Sequence, residues 1–272
     1  MDAWLDDIRG IEMERLDAPI GVFDSGVGGI STLRTLAADL PNEDFIFYGD
    51  SANAPYGEKS ATEVCTLATN VIETLRQQQV KAVVIACNTA TSAAKPELMA
   101  TYPELPILGI EPALKEAVDA GKRHILVMAT PLTISLPKYN AQVAKYQAQT
   151  AIQSLACPGL ADLVEQGKAA LPAIKQLVHQ LLGTVATAQA DGLVLGCTHY
   201  PFIEKLIQSE FDHPVSVYTG YSGISRNLQH QLKQKNLLQT ASRERTIRFM
   251  SSRNTPEELA LYQKLFDHGI EA

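Results

Sequence analysis

Two cysteines stand in matched settings. Val83-Val84-Ile85-Ala86-Cys87-Asn88-Thr89 and Leu193-Val194-Leu195-Gly196-Cys197-Thr198-His199 each run from an apolar stretch through a small residue to a thiol. Polar side chains that open a helix then follow. A lone cysteine after an apolar strand is ordinarily a small core residue. At the N-terminus of a helix, backbone N–H groups and the positive dipole end lower a thiol pKa and favour the thiolate. Proton transfer at a stereocentre needs a base on one face and an acid on the other, and two like groups exchange those roles as the substrate changes hand. A carbon acid as weak as an amino-acid α-carbon also needs a water-poor, well-positioned site. Cys65, inside a helical run, and Cys157, in a loop before Pro158, lack this setting and read as packing residues.

Two further segments lie at strand ends. In Phe23-Asp24-Ser25-Gly26-Val27-Gly28-Gly29-Ile30-Ser31 a strand ends in Asp24 and a glycine-rich turn opens a helix. It fits neither GxxxxGK[ST] nor GxGxxG, so it is not a nucleotide loop. A carboxylate could sit at that helix start, and Asp24 could bind an ammonium, support a cysteine, or simply cap the helix. The loop Gly49-Asp50-Ser51-Ala52-Asn53-Ala54-Pro55-Tyr56-Gly57-Glu58-Lys59 follows another strand and is ordinary turn chemistry by itself.

The elements that must position these residues follow from the apolar pattern. Short unalternated runs fall at Ile20–Phe23, Phe45–Tyr48, Ala82–Ala86, Ile107–Ile110, Ile125–Met128, Gly192–Leu195 and Val215–Tyr218, with a weaker one at Ile247–Met250. Helical patterns intervene, among them Thr62–Gln78, Pro112–Ala120, Leu171–Ala186 and Pro256–Phe266. This predicts an α/β fold with buried, mostly parallel sheets, whose ligands gather at the carboxyl ends of the strands. The two thiol segments lie 110 residues apart, which suggests two similar α/β halves with one thiol each.

The 272 residues are 46% hydrophobic with a net charge of −7, and no basic cluster provides a nucleic-acid face. No run approaches the roughly 20 apolar residues that span a bilayer. The first 17 residues are acidic and lack a signal-peptide core. A cytoplasmic protein is expected, its four cysteines free, with no zinc spacing among them. Residues 1–18 precede the first strand and read as a helical extension.

GVFDSGVGG, DSANAPYGEKS, ACNTATSA and GCTHYPF, in this order, resemble the glutamate racemases of the aspartate/glutamate racemase superfamily. The motifs cover most of Ile20 to Phe202. The resemblance implies two α/β lobes with the site in the cleft between them. One lobe comprises residues 1–112 with 221–272, the other residues 113–220, with crossings near Pro112 and Gly220. It implies cofactor-independent racemisation of L- and D-glutamate, with no metal, supplying D-glutamate for peptidoglycan, by a homodimer. Cys87 would act on D-glutamate and Cys197 on L-glutamate, supported by Asp24, Glu165 and His199. Asp24, Ser25, Tyr56, Gly57, Asn88, Thr89, Thr130, Thr133, Thr198 and His199 would bind substrate. His199 would tune Cys197 or else cap its helix. The departures are local: Asn53 stands where relatives carry arginine, and Tyr218–Gly223 and Phe249–Ser252 match less well. A racemase of aspartate or another amino acid would differ in pocket size, and a binding protein without catalysis would have lost a thiol.

Overall fold

The computed structural model describes residues 15–268. Among the described residues nine parallel strands form two sheets. The first has the order β4-β3-β1-β2-β9, from β1 (Ile20–Asp24), β2 (Phe45–Gly49), β3 (Ala82–Ile85), β4 (Ile107–Gly109) and β9 (Ile247–Ser251). The second has the order β6-β5-β7-β8, from β5 (His124–Ala129), β6 (Ala151–Ala156), β7 (Gly192–Gly196) and β8 (Ser216–Tyr218). The expected α/β architecture with two similar halves is what the chain adopts. Read from the other edge, the second sheet runs β8-β7-β5-β6, the same winding as β4-β3-β1-β2. Cys87 follows β3 and Cys197 follows β7, so the thiols occupy equivalent places.

Helices cover both faces of each sheet because every inner strand is apolar on both sides. In the first sheet Ile20, Val22 and Phe47 pack on one face with Leu33 and Leu36 of α1 (Gly29–Asp39), Leu228 of α10 (Tyr221–Gln234) and Tyr262 of α11 (Pro256–His268). Phe23, Ile46 and Val83 pack on the other with Val64, Ile72 and Leu75 of α2 (Ala61–Gln77) and Leu98 of α3 (Asn88–Thr101). In the second sheet Leu126, Met128 and Leu193 meet Val164 of α7 (Leu160–Glu165) and Ile174 and Val178 of α8 (Leu171–Leu182). Its other face meets Leu114 of α4 (Leu114–Asp119) and Tyr139 of α6 (Pro137–Tyr146). Each such buried side chain contributes about 1.5–3 kcal/mol, so strand burial dominates the positioning of the loops above.

Three expectations are corrected. Strand β6 was not anticipated: it is an edge strand with Gln153 and Ser154 exposed, so it shows no apolar run. The helix expected over Leu171–Ala186 stops at Leu182 and gives way to a short 3-10 turn at Thr187–Gln189. Cys197 opens no α-helix; a 3-10 turn over Tyr200–Ile203, with Pro201 in it, precedes the five-residue α9 (Glu204–Gln208). The leader expected to be helical lies outside the described residues through 14, and residues 15–17 are helical.

The chain leaves the first sheet after Gly109 and re-enters it at Ile247. Gly220, at φ 80°, begins α10 on the return. A Cβ there would lie 2.9 Å from the Glu111 carbonyl, so the close pass of the two crossings needs glycine.

Candidate active site

In each sheet the chain lays down one strand beside its central strand, then crosses to the other side. The crevice this leaves lies at the carboxyl ends of β1 and β3 in one half and of β5 and β7 in the other, the place where open α/β sheets bind ligands. Asp24 and Ser25 leave β1, and Cys87, Asn88 and Thr89 leave β3. Thr130 and Thr133 follow β5, the latter in α5 (Pro131–Ser135), and Cys197, Thr198 and His199 follow β7. Tyr56 and Gly57 come from the loop after β2, and Glu165 ends α7 after β6. Direct contacts join the two halves here: Thr198 to Asp24, Thr130 to Thr89, Glu165 to Val27, and Thr130 against Gly57.

Cys87 is the N-cap of α3. Its Sγ accepts from Ala90 N at 3.4 Å and lies 3.7 Å from Ser25 Oγ. The helix start was expected to lower this thiol. Burial dominates instead and, with the Asp24 carboxylate, pushes it up to about 12 against the Ala90 and Ser25 donors. Cys87 is 5% and Cys197 7% exposed. Cys197 lies close enough to influence Cys87 electrostatically.

Cys197 has different neighbours. Its Sγ is 3.6 Å from His199 Nδ1, and His199 Nε2 is 2.5 Å from Glu165 Oε1. His199 caps no helix with its side chain. Burial pulls its imidazole down, but Glu165 and the Cys197 sulfur outweigh this and hold it well above the usual histidine range. Burial raises Glu165, yet His199, the Val27 N–H and Arg253 bring its carboxyl below the ordinary value. Glu165 Oε1 also accepts from Val27 N at 3.0 Å.

Asp24 is fully buried and is no helix cap. Its Oδ1 accepts from Gly26 N at 3.0 Å and its Oδ2 from the Thr198 hydroxyl at 3.0 Å. Burial raises this carboxyl, with His199 the strongest opposing influence. The hydroxyls of Thr89, Thr130 and Thr133 bond to one another at 2.9–3.3 Å, joining α3 to the start of α5. A Cβ on Gly57 would lie 2.7 Å from Thr130. Asn88 Oδ1 is buried without a hydrogen-bond partner.

Sequence reasoning overlooked several supporting residues. The Tyr56 hydroxyl donates to Asp50 Oδ2 at 2.5 Å, and Asn53 donates to Asp50 Oδ1 at 2.9 Å. Asp50 follows β2 as Asp24 ends β1, a cue that was available. Tyr262 of α11 pairs with Ser51 at 2.6 Å, and Ser252 accepts from Ala52 N at 2.9 Å, so the last strand and helix brace this loop. Cys157 lies near enough to Cys197 for an electrostatic influence, while Cys65 bonds to Ala93 O within the helical layer.

A cavity of about 720 Å³ opens elsewhere, by the crossings, among Lys95, Glu111, Lys145, Gly220 and Arg226. It contains no thiol. Among the described residues no three His, Cys, Asp or Glu side chains are placed to hold a metal ion, and no helix is long and apolar enough to cross a membrane.

The family described as Asp/Glu/Hydantoin racemase matches residues 24–221. The chain belongs to this racemase family. A relative from Clostridium novyi (strain NT) named glutamate racemase is 43% identical over 253 residues, 93% of this chain and 98% of the relative. Among solved structures, a glutamate racemase isoform from Bacillus anthracis superposes with a TM-score of 0.81 at 30% identity, covering 91% of this chain and 92% of that one. A glutamate racemase from Francisella tularensis in complex with D-glutamate gives 0.80 at 29% identity, covering 94% and 95%. Like these racemases, the chain is built as two sheet-centred lobes and is an isomerase.

Proposed function

We propose that the chain racemises glutamate without a cofactor, using Cys87 and Cys197 as paired acid and base. The observation that supports this reading is that two equivalent strand ends, β3 and β7, each carry one buried thiol, near enough for Cys197 to influence Cys87 electrostatically. A thiolate on one side takes the α-proton from Cα, leaving a carbanion. The thiol on the other side gives its own proton to the opposite face, so the configuration inverts and the two sulfurs exchange states. Cys87 serves D-glutamate and Cys197 L-glutamate. The elevated Cys87 thiol rests protonated, the form needed to deliver a proton to a carbanion made by Cys197. His199, backed by Glu165, sits beside Cys197 to exchange its proton.

The cleft offers short uncharged donors, Ser25, Asn88, Thr89, Thr130, Thr133 and Thr198, suited to two carboxylates. Asp24 and the unpartnered Asn88 Oδ1 are acceptors for an ammonium, and an acceptor left alone in a protein interior costs about 1–3 kcal/mol. Tyr56 and Gly57 close the cleft beside Thr130. In this reading one lobe comprises residues 1–112 with 221–272 and the other 113–220, the enzyme acts as a homodimer in the cytoplasm, and its D-glutamate feeds peptidoglycan synthesis.

The test is to follow loss of optical rotation from L-glutamate and from L-aspartate, with no added cofactor and with EDTA present. Glutamate alone should racemise. Preference for aspartate, or activity only after adding pyridoxal phosphate or a metal, would reject the reading.

A further inference from the structure

Gly26 and Val27 lie in the glycine-rich turn yet have no part in the proton transfers above. We propose that Gly26 lacks a side chain so that Glu165 can cross from the second lobe to the first, and that this contact completes the Cys197 half of the site only when the lobes are closed. The inference rests on the two-thiol reading and assigns a positioning role to the turn.

The geometry is specific. Glu165 ends α7, in the half built on the second sheet, and Val27 precedes α1, in the half built on the first. One carboxylate oxygen, Oε1, accepts from both Val27 N at 3.0 Å and His199 Nε2 at 2.5 Å. A Cβ on Gly26 would collide with that same oxygen. Any residue but glycine therefore displaces the group that holds His199.

The two halves differ in what they borrow. The partners of Cys87 are Ser25, the Ala90 N–H and Asp24, all carried by the first-sheet half. Cys197 relies on His199, which relies on Glu165, and Glu165 takes the Val27 N–H and the positive field of Arg253 from the opposite half. Arg253 is exposed on the turn after β9, where its own N–H bonds to Ser251 Oγ at 3.1 Å. Asp24 and Asp162 face Glu165 with the opposite sign. Opening the cleft removes one donor and one cation from Glu165 and leaves those of Cys87 in place. Closure over substrate thus completes the hydrogen bonds behind Cys197 and leaves those of Cys87 as they were, in line with the gating role of cleft closure in other enzymes.

Two variants test this, Gly26→Ala and Glu165→Asp. The first displaces the carboxylate. The second keeps its charge and shortens its reach by one methylene, so it loses either His199 or Val27. β-Chloroalanine is the probe: removal of the α-proton expels chloride and the product hydrolyses to pyruvate and ammonium, with no reprotonation needed at the α-carbon. Cys197→Ser identifies the enantiomer that depends on Cys197. Both variants should slow elimination from that enantiomer roughly 10–100-fold, while elimination from its mirror image stays within about threefold of wild type. A merely structural defect would slow both enantiomers alike. Equal losses, or no loss in Glu165→Asp, overturn the inference. If the wild-type protein does not racemise glutamate, the racemase reading itself fails and takes this inference with it.

Discussion

The Thr198 hydroxyl donates to the Asp24 carboxylate at 3.0 Å, joining the carboxyl end of β1 in one sheet to the turn after β7 in the other. With Gly26 N on its other oxygen, Asp24 spans the cleft at its floor. A Cβ on Gly28 would lie 2.5 Å from Thr198 Oγ1, so the approach leaves room for nothing larger than glycine. Asp24→Asn can keep its oxygen for Gly26 N and turn its amide NH2 to the Thr198 hydroxyl, which can accept, while it removes a charge that burial disfavours. The melting temperature should hold or rise, while racemisation falls roughly 10–100-fold as the acceptor for ammonium and imidazolium is lost. Thermal unfolding with steady-state rates on the same preparation measures both; undiminished turnover would remove Asp24 from the machinery.

Each cysteine should be indispensable, for different halves of the reaction. Cys87→Ser and Cys197→Ser should each lose about 10²–10⁴-fold in racemisation, since a hydroxyl is far less acidic than a thiol. Elimination from β-chloroalanine should survive in each for one enantiomer only, with opposite preferences. Cys65→Ser, half-buried between α2 and α3, serves as the control and should turn over like wild type. Racemisation by Cys87→Ser at the wild-type rate would end the two-thiol account.

The elevated Cys87 thiol gives a pH signature. The reactive species is the thiolate, and its fraction grows tenfold per pH unit until the pKa is reached. With Cys87 pushed up to about 12 by burial and Asp24, its alkylation by iodoacetamide in the free protein should climb without levelling between pH 7 and 10.5. Mass spectrometry of the Cys87 peptide follows the rate, and a plateau near pH 9 would contradict the burial argument. The linkage has the same sign: the stability owed to keeping this thiol neutral is complete below the unfolded value of about 9 and is lost as the pH rises towards 12.

Tyr56→Phe tests the loop after β2. Asp50 is 3% exposed and would retain only the Asn53 amide among its side-chain donors. Losing a buried hydrogen bond to a carboxylate costs about 1.5–3 kcal/mol. Urea unfolding should show that loss in the midpoint with an unchanged slope, and a midpoint equal to wild type would assign the Tyr56 hydroxyl no role in holding the loop.

What was legible in the sequence follows burial. Strands β1, β3 and β7 are sealed on both faces, so Ile20–Phe23, Ala82–Ala86 and Gly192–Leu195 read as apolar runs. Ala151–Ala156 lies at an edge, where Gln153 and Ser154 meet solvent and erase the signal. The site residues that announced themselves sit next in sequence to such runs: Asp24, Cys87 and Cys197. Partnerships between distant residues left no trace. Glu165 and Val27 lie 138 positions apart and Ser51 and Tyr262 lie 211 apart, and only the folded sheets bring them together. The Cys87 thiol was misjudged because the helix start is local and visible, whereas burial by residues distant in sequence is neither.

Strands β1 and β9 flank β2 in one parallel sheet, so the first and last strands are anchored in the same half of the molecule. Tension applied to the two ends passes through that half alone. It enters at the start of β1 and leaves beyond the end of β9, at opposite edges of the strand direction, and so loads the β1–β2–β9 hydrogen bonds in shear, all at once, rather than unzipping them singly. The half that carries Cys197 bears no load until the first sheet has torn. Stretched in this way, the molecule should give one high-force rupture followed by a second, later one from the shielded strands β5 to β8.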